Sequence, residues 1–276
     1  MSSASTSNSA PRALLRRGRD AAMTVPQDSG FEQAWRRRFE RFARASDDDA
    51  GIAGWSDRGL AARVRRFVQL WERQRQRDVA AAPSDRWLDA GSGAGTYTRL
   101  LDGWQLDTVA VDYSEPTVQK ARPRCAPRAH WAVADVTQLP FAEASFDGVL
   151  CFGVMQALAA PERALRELRR VLRPGGTLWV DALNADCLPT RLAERRRIAR
   201  GEPAHLRYDV PSQFVAAVRA SGFGEVQAHW VPIAPAALRW AQPVLESAAF
   251  DALARLVAPL GAAASHSFLV RAEAAA

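Results

Sequence analysis

The chain has 276 residues, 48% of them hydrophobic and 24% charged, a globular balance with enough length to bury about 70 to 75% of the unfolded surface. That excludes a fibrous or wholly disordered protein. No apolar run reaches the ~18 to 20 residues needed to span a bilayer, and the longest candidate, 148–160, carries Gln156. Cys125, Cys151 and Cys187 lie far apart and form no CxxC, so neither a disulfide framework nor a metal site is expected, and a reducing, cytoplasmic location fits best. The net charge of +7 would suit a nucleic-acid binder, but residues 1–86 hold 17 basic and 11 acidic side chains while residues 87–276 hold 20 and 19. The excess belongs to the N-terminal third. Its basic residues are nearly all arginine, Lys120 being the single lysine, and the abundant alanine beside them points to coding bias rather than to selection for phosphate.

In chain order, residues 1–30 combine a Ser, Thr and Asn run with Arg12, Arg16, Arg17 and Arg19, and read as a disordered tail. The same composition suits a targeting segment, and Met23 offers an alternative start. Phe31, Trp35, Phe39 and Phe42 recur at helical spacing, as do Leu60, Val64, Phe67, Leu70 and Trp71, which predicts a helical cap over residues 31–80. Asp47, Asp48 and Asp49 between these helices read as a capped loop rather than a metal site, because adjacent side chains diverge. Trp35, Trp55 and Trp71 could close over a ligand, although core packing is preferred for Trp35 and Trp71.

From residue 81 to 276 short apolar runs alternate with helical stretches, the pattern of a doubly wound α/β domain with a mostly parallel sheet. Seven strands are expected at 87–90, 108–111, 130–134, 148–152, 177–180, 226–230 and 267–271. Helices are expected after Gly95, after Glu115, and over 162–172 and 212–221, with insertions at 183–207 and 231–265.

The first of these strands runs into Asp89-Ala90-Gly91-Ser92-Gly93-Ala94-Gly95, a loop open enough for a ligand to approach the backbone. Its G-x-G-x-G spacing departs from the dinucleotide fingerprint, which would need glycine at Thr96, and Asp89 would repel a pyrophosphate. A cationic cofactor fits better. The next strand ends in Asp112, placed to accept the two hydroxyls of a ribose, and the third ends in Asp135, placed to receive an exocyclic amine.

With these elements the sequence resembles the class I S-adenosylmethionine-dependent methyltransferases, in particular the small-molecule group often called type 11. The resemblance rests on Leu88 to Gly95, Val111-Asp112-Tyr113-Ser114, Ala134-Asp135-Val136, Leu139-Pro140-Phe141, Ser145 to Val149, the run from Leu165 to Leu178, and Ala220-Ser221-Gly222-Phe223. It implies a Rossmann-like sheet of seven strands with the last antiparallel, and S-adenosylmethionine as cofactor. It also implies that Gly91, Gly93 and Gly95 line the methionine part, that Asp89 approaches the amino group and that Asp112 holds the ribose. Tyr113 would pack on adenine while Asp135 and Val136 read its edge.

The acceptor side is less explicit. The fourth strand leads to Gln156, where many members of that group carry a histidine, and the Asn/Asp-Pro-Pro-Tyr/Phe tetrapeptide of amino-methylating nucleic-acid enzymes is missing. His130 and His229 read as structural, whereas His205, Tyr208 and His266 fall at the cofactor end of the sheet and are the candidate bases. Arg191, Arg195, Arg196, Arg197 and Arg200 read as a solvated helix face. The expectation is an enzyme acting on a small-molecule acceptor, at oxygen, with nucleic acid an unlikely partner. Two alternatives are an RNA methyltransferase using the basic N-terminal arm and a cofactor-binding module without catalysis.

Overall fold

The computed structural model describes residues 29–77, 85–202, 206–234 and 236–275. The expected tail therefore lies outside the described residues apart from Ser29 and Gly30, which open the first helix. The expected boundary near residue 80 and candidate base His205 also lie outside them.

Three helices come first: α1 (Ser29–Ala45), the short α2 (Asp49–Ile52) and α3 (Asp57–Arg77). Asp48 caps α2, accepting from Gly51 N at 2.7 Å, while Asp47 meets Lys120 and Asp49 accepts from Thr96 Oγ1 at 2.7 Å. Each carboxylate of the triplet thus has its own partner. The expected alternation follows: β1 (Arg86–Ala90), α4 (Thr96–Gly103), β2 (Asp107–Asp112), α5 (Glu115–Ala121), β3 (His130–Val133), β4 (Phe146–Cys151), α6 (Pro161–Val171) and β5 (Leu172–Leu183). The chain continues through α7 (Leu188–Ala199), α8 (Pro211–Ala220), β6 (Phe223–Pro232), α9 (Gln242–Leu245), α10 (Ala248–Leu256), α11 (Ala258–Ala264) and β7 (Ser265–Ala274).

The strands form one sheet in the order β3-β2-β1-β4-β5-β7-β6. Strands β1 to β5 pair in parallel, and β7 runs antiparallel to both β5 and β6. All seven expected strands are present; β6 and β7 are longer than expected because they pair along most of their length, from Phe223 opposite Ala274 to Pro232 opposite Ser265. The expected helix over 162–172 ends one residue early, where Leu172 pairs with Phe146 at the start of β5.

Each face of the sheet buries its own core. On one, Leu88, Val109, Val149 and Leu178 meet Ala164, Leu165, Leu168 and Val171 of α6 and Phe214 and Val218 of α8. On the other, Leu150, Phe152, Trp179 and Leu269 meet Phe67, Leu70 and Trp71 of α3 and Tyr97 and Leu101 of α4. Truncating a fully enclosed side chain such as Leu168 to alanine costs about 2 to 5 kcal/mol. Trp71 stacks on Trp104 with ring centroids 4.6 Å apart, so its role is packing. Because the chain builds β1, β2 and β3 outward and then returns to β4 beside β1, the order reverses there and leaves a crevice beyond the carboxyl ends of β1 and β4. Among the described residues no helix is long and apolar enough to cross a membrane.

Candidate cofactor and acceptor site

The crevice opens as a cleft between the sheet and α1. Its floor is the loop after β1. Gly91 has φ +81°, and a Cβ there would stand 2.2 Å from Val154 Cγ2, so only glycine lets the loop pass this close to the chain after β4. Gly93 has φ +52°, and a Cβ there would meet nothing nearer than Ala53 Cβ at 3.9 Å, in the space a ligand would use. Asp112, at the end of β2, is oriented by two backbone donors, Gly93 N to Oδ2 at 3.0 Å and Ser114 N to Oδ1 at 2.9 Å. Burial raises its carboxyl to about 6. Each carboxylate oxygen has accepted one hydrogen bond and keeps a further lone pair for a diol.

Tyr113, Asp135 and Val136 line the same cleft. Burial would raise the Asp135 carboxyl, but hydrogen bonds from Thr137 and the Arg36 guanidinium outweigh it and hold the group below its usual range. Arg36 comes from α1 and also lies over the Tyr113 ring, 5.4 Å from its centroid. With Glu32, Trp35 and Phe39, Arg36 makes α1 the wall of the cleft opposite the sheet. Asp89 and Gly95 sit elsewhere. Asp89 is buried beneath the loop, accepts from Thr98 Oγ1 at 2.6 Å and is pushed up to about 7 by burial; Gly95, at φ +80°, makes room for Cys125 and Trp131. The cleft offers an acceptor for a ribose and, over Gly93, a cradle that a Cβ would fill, which suits a nucleoside cofactor.

A second, larger cavity adjoins the first, sharing Trp35, Phe39, Ala53 and Trp55 with it. Trp35 is therefore both well buried and part of two pocket walls, which corrects its expected role as core packing alone. His266, at the start of β7, lines this cavity, and its Nδ1 lies 3.1 Å from Thr190 Oγ1 on α7. Burial, assisted by the nearby Arg63 guanidinium, lowers the His266 pKa to about 4, so the ring is neutral at physiological pH. Tyr208 meets His266 edge-on at 6.2 Å, and burial raises its hydroxyl to about 12. It is a neutral phenol.

Sequence reasoning missed Arg63 and Asp181. Arg63 lies four residues before Phe67 and seven before Leu70 on the buried stripe of α3, and its Nε donates to Asp181 Oδ2 at 3.0 Å. Asp181, fully buried in β5, accepts from Gly153 N at 2.7 Å through its other oxygen. The available signal was an arginine at an apolar position of the helical period. Of the remaining histidines, His130 is exposed at the start of β3 and His229 stacks on Trp179 at 6.1 Å. Arg191, Arg195 and Arg196 on α7 and Arg200 just beyond it are exposed, as expected of a solvated face, whereas Arg197 is half-buried and pairs with Glu194 and Glu202.

Residues 88–180 match the family model described as a methyltransferase domain. A demethylmenaquinone methyltransferase from Clavibacter sepedonicus is 32% identical over 146 residues, covering 52% of this chain and 57% of the relative. A malonyl-[acyl-carrier protein] O-methyltransferase from Erwinia pyrifoliae is 34% identical over 126 residues, covering 46% and 48%. The chain spans about half the length of these relatives. The crystal structure of a magnesium protoporphyrin IX methyltransferase from Synechocystis, with bound S-adenosylhomocysteine, superposes over 89% of this chain and all of that one with a TM-score of 0.60 at 13% identity, which shows the shared fold. Residues 88–180 thus carry a methyltransferase domain, and the seven-stranded sheet with its reversed β7 and the glycine loop at the β1–β4 crevice have the fold expected around it.

Proposed function

We propose that the protein transfers a methyl group from S-adenosylmethionine to an oxygen of a small organic acceptor held in the second cavity. The observation that carries this reading is the shared wall: Trp35, Phe39, Ala53 and Trp55 border both cavities, so a cofactor in one and an acceptor in the other would be neighbours.

The cofactor supplies a methyl group already activated on a sulfonium sulfur. The protein's part is then to position two partners and keep water out, the sort of contribution that makes a bimolecular step effectively intramolecular. In this reading Asp112 holds the ribose, Gly91 and Gly93 admit the methionine portion, and Tyr113, Asp135 and Val136 border the adenine, with Arg36 closing that end from α1. Asp89 acts from beneath the loop, as a buried carboxyl able to ionise when a cation arrives above it. Trp35, Phe39 and Trp55 form an aromatic wall that excludes water from the acceptor.

An oxygen acceptor must lose its proton as the new bond forms. His266 is the base in this proposal, because among the candidates in the described residues it is the one on the cavity wall, with its Nδ1 beside Thr190 Oγ1. Gln156 takes no part as base; its Nε2 donates to Gly153 O at 2.6 Å and shapes the loop. The base thus reaches the site from β7 instead of the loop after β4. The test is an acceptor screen reading S-adenosylhomocysteine release and product mass, followed by His266→Ala on the best acceptor. The expected result is a fall in kcat of about 10²-fold or more with unchanged cofactor affinity. An undiminished kcat would remove His266 from the mechanism, and cofactor binding without turnover across the screen would favour a non-catalytic binding module.

A further inference from the structure

Arg63 is 1% exposed and lines the acceptor cavity. A guanidinium carries five N–H donors in a planar fork. Here one of them, on Nε, is used by Asp181, while Nη1 and Nη2 are buried with no hydrogen-bond partner among the described residues. The plane is fixed from two sides. Asp181 holds its Nε edge and is itself held by Gly153 N, and the Trp55 ring lies across its face, 3.6 Å from the guanidinium carbon. With the Nε edge occupied and the face covered, the donors that remain are the paired Nη groups, which are buried in the cavity wall so that an acid reaches them by displacing a neighbouring side chain, and whose spacing matches the two oxygens of a carboxylate.

The walls around it select the rest of the molecule. Among the described residues, the charged ones lining the cavity are Arg38 and Arg63, with no carboxylate among them, since Asp181 lies behind Arg63. Trp35, Phe39, Phe42 and Ile233 supply flat or branched apolar surface. A cation would meet two arginines, and an uncharged apolar molecule would leave the Nη donors unmet. An apolar acid would satisfy both the walls and the fork.

We propose that Arg63 anchors a carboxylate on the methyl acceptor, so that the substrate is an aromatic or similarly apolar acid. This rests on the reading of the second cavity as the acceptor site. Arg63 is a specificity-determining residue in this arrangement, and Asp181 and Trp55 are positioning residues that hold its fork in line.

The test uses the full-length protein and three matched probe pairs: benzoate, 4-hydroxybenzoate and 2-naphthoate, each against its amide. Binding is read by quenching of tryptophan fluorescence, with Trp55 beside the proposed site, and by calorimetry, with and without saturating S-adenosylhomocysteine. The wild-type protein should bind at least one acid about tenfold or more tightly than its amide. Arg63→Lys, which keeps the charge but not the fork, should lose most of that preference. Arg63→Met combined with Asp181→Asn removes both charges together, keeps an acceptor for Gly153 N, and should bring acid and amide to within about twofold, with S-adenosylhomocysteine affinity held within about threefold. Equal binding of acids and amides by the wild-type protein, binding of none of the six probes, or an undiminished preference in the double variant would overturn the proposal. Failure of S-adenosylhomocysteine to bind the wild-type protein would instead overturn the functional reading, and the acid preference measured without it would still support or overturn the role of Arg63.

Discussion

The two cavities meet at one aromatic wall yet are built in opposite ways. The proposed cofactor cleft takes its sheet side from consecutive strand ends, Gly91 and Gly93 after β1, Asp112 and Tyr113 at the end of β2, and Asp135 and Val136 after β3. The acceptor cavity is assembled from α1, the Gly54-Trp55-Ser56 turn, Arg63 of α3, Gln156 after β4, Thr190 of α7 and His266 of β7. One depends on backbone conformation at strand ends, the other on which distant side chains the packing brings together. A substitution in a turn should therefore damage cofactor binding directly, whereas the acceptor cavity should respond mainly to changes in its side chains.

The largest expected effect is on the loop itself. Gly91→Ala combines a positive φ with a methyl 2.2 Å from Val154 Cγ2, and should weaken cofactor binding by about 100-fold or more while lowering Tm. Gly93→Ala, whose methyl meets open space, should lower Tm less at a comparable loss of affinity. Calorimetry and thermal unfolding on the two variants separate these effects, and equal affinity losses with equal Tm losses would blur the contrast between loop and cavity.

Next comes Asp112→Ala, expected to cost about 1.5 to 3 kcal/mol of cofactor affinity, roughly one to two decades in Kd. Cofactor binding unchanged by the substitution would remove Asp112 from the ribose site.

The pH dependence is a finer test. Asp112 and Asp89 have folded pKa values raised by burial to about 6 and about 7, so the free protein takes up protons there before an unfolded chain would. Their contribution to stability is present below the ordinary carboxylate range and is lost as pH rises through about 4 to 7. In the proposed site cofactor binding needs Asp112 ionised and runs the other way. The Kd should weaken towards about tenfold per pH unit below 6, with proton release on binding seen as a buffer-dependent enthalpy. A flat Kd between pH 7.5 and 5 would contradict this assignment.

The smallest effect expected is from Arg36→Ala. Its bridge to Asp135 is half exposed, and such pairs contribute about 1 kcal/mol or less, so cofactor KM should move by no more than about fivefold. A change of two decades would mean that α1 holds the cofactor far more directly than the turns do.

The same contrast explains what could be read from the sequence. The strands and the Gly91, Gly93 and Asp112 turn were visible because alternation, glycine spacing and an acid at a strand end are local consequences of short-range sterics and hydrogen bonding. Asp89 and Gly95 carry the same local signature yet sit beneath or behind the cleft, since sequence spacing does not say which side of a loop faces a ligand. Arg63 was hidden because it occupies an apolar position on α3, and its partner Asp181 lies 118 residues further along the chain. His266 was found through topology, because reversal of the last strand puts its beginning at the carboxyl ends of the others. Trp35 shows the limit of a helical period: it reports burial but does not distinguish a core from a pocket wall.

The most direct test of the two-cavity account is a crystal structure of the protein with S-adenosylhomocysteine. The account predicts the ribose hydroxyls within hydrogen-bond reach of the Asp112 carboxylate, adenine between Tyr113 and Val136, and the sulfur facing the cavity lined by Trp55 and His266. A ligand bound elsewhere, or one whose sulfur turns away from that cavity, would contradict it.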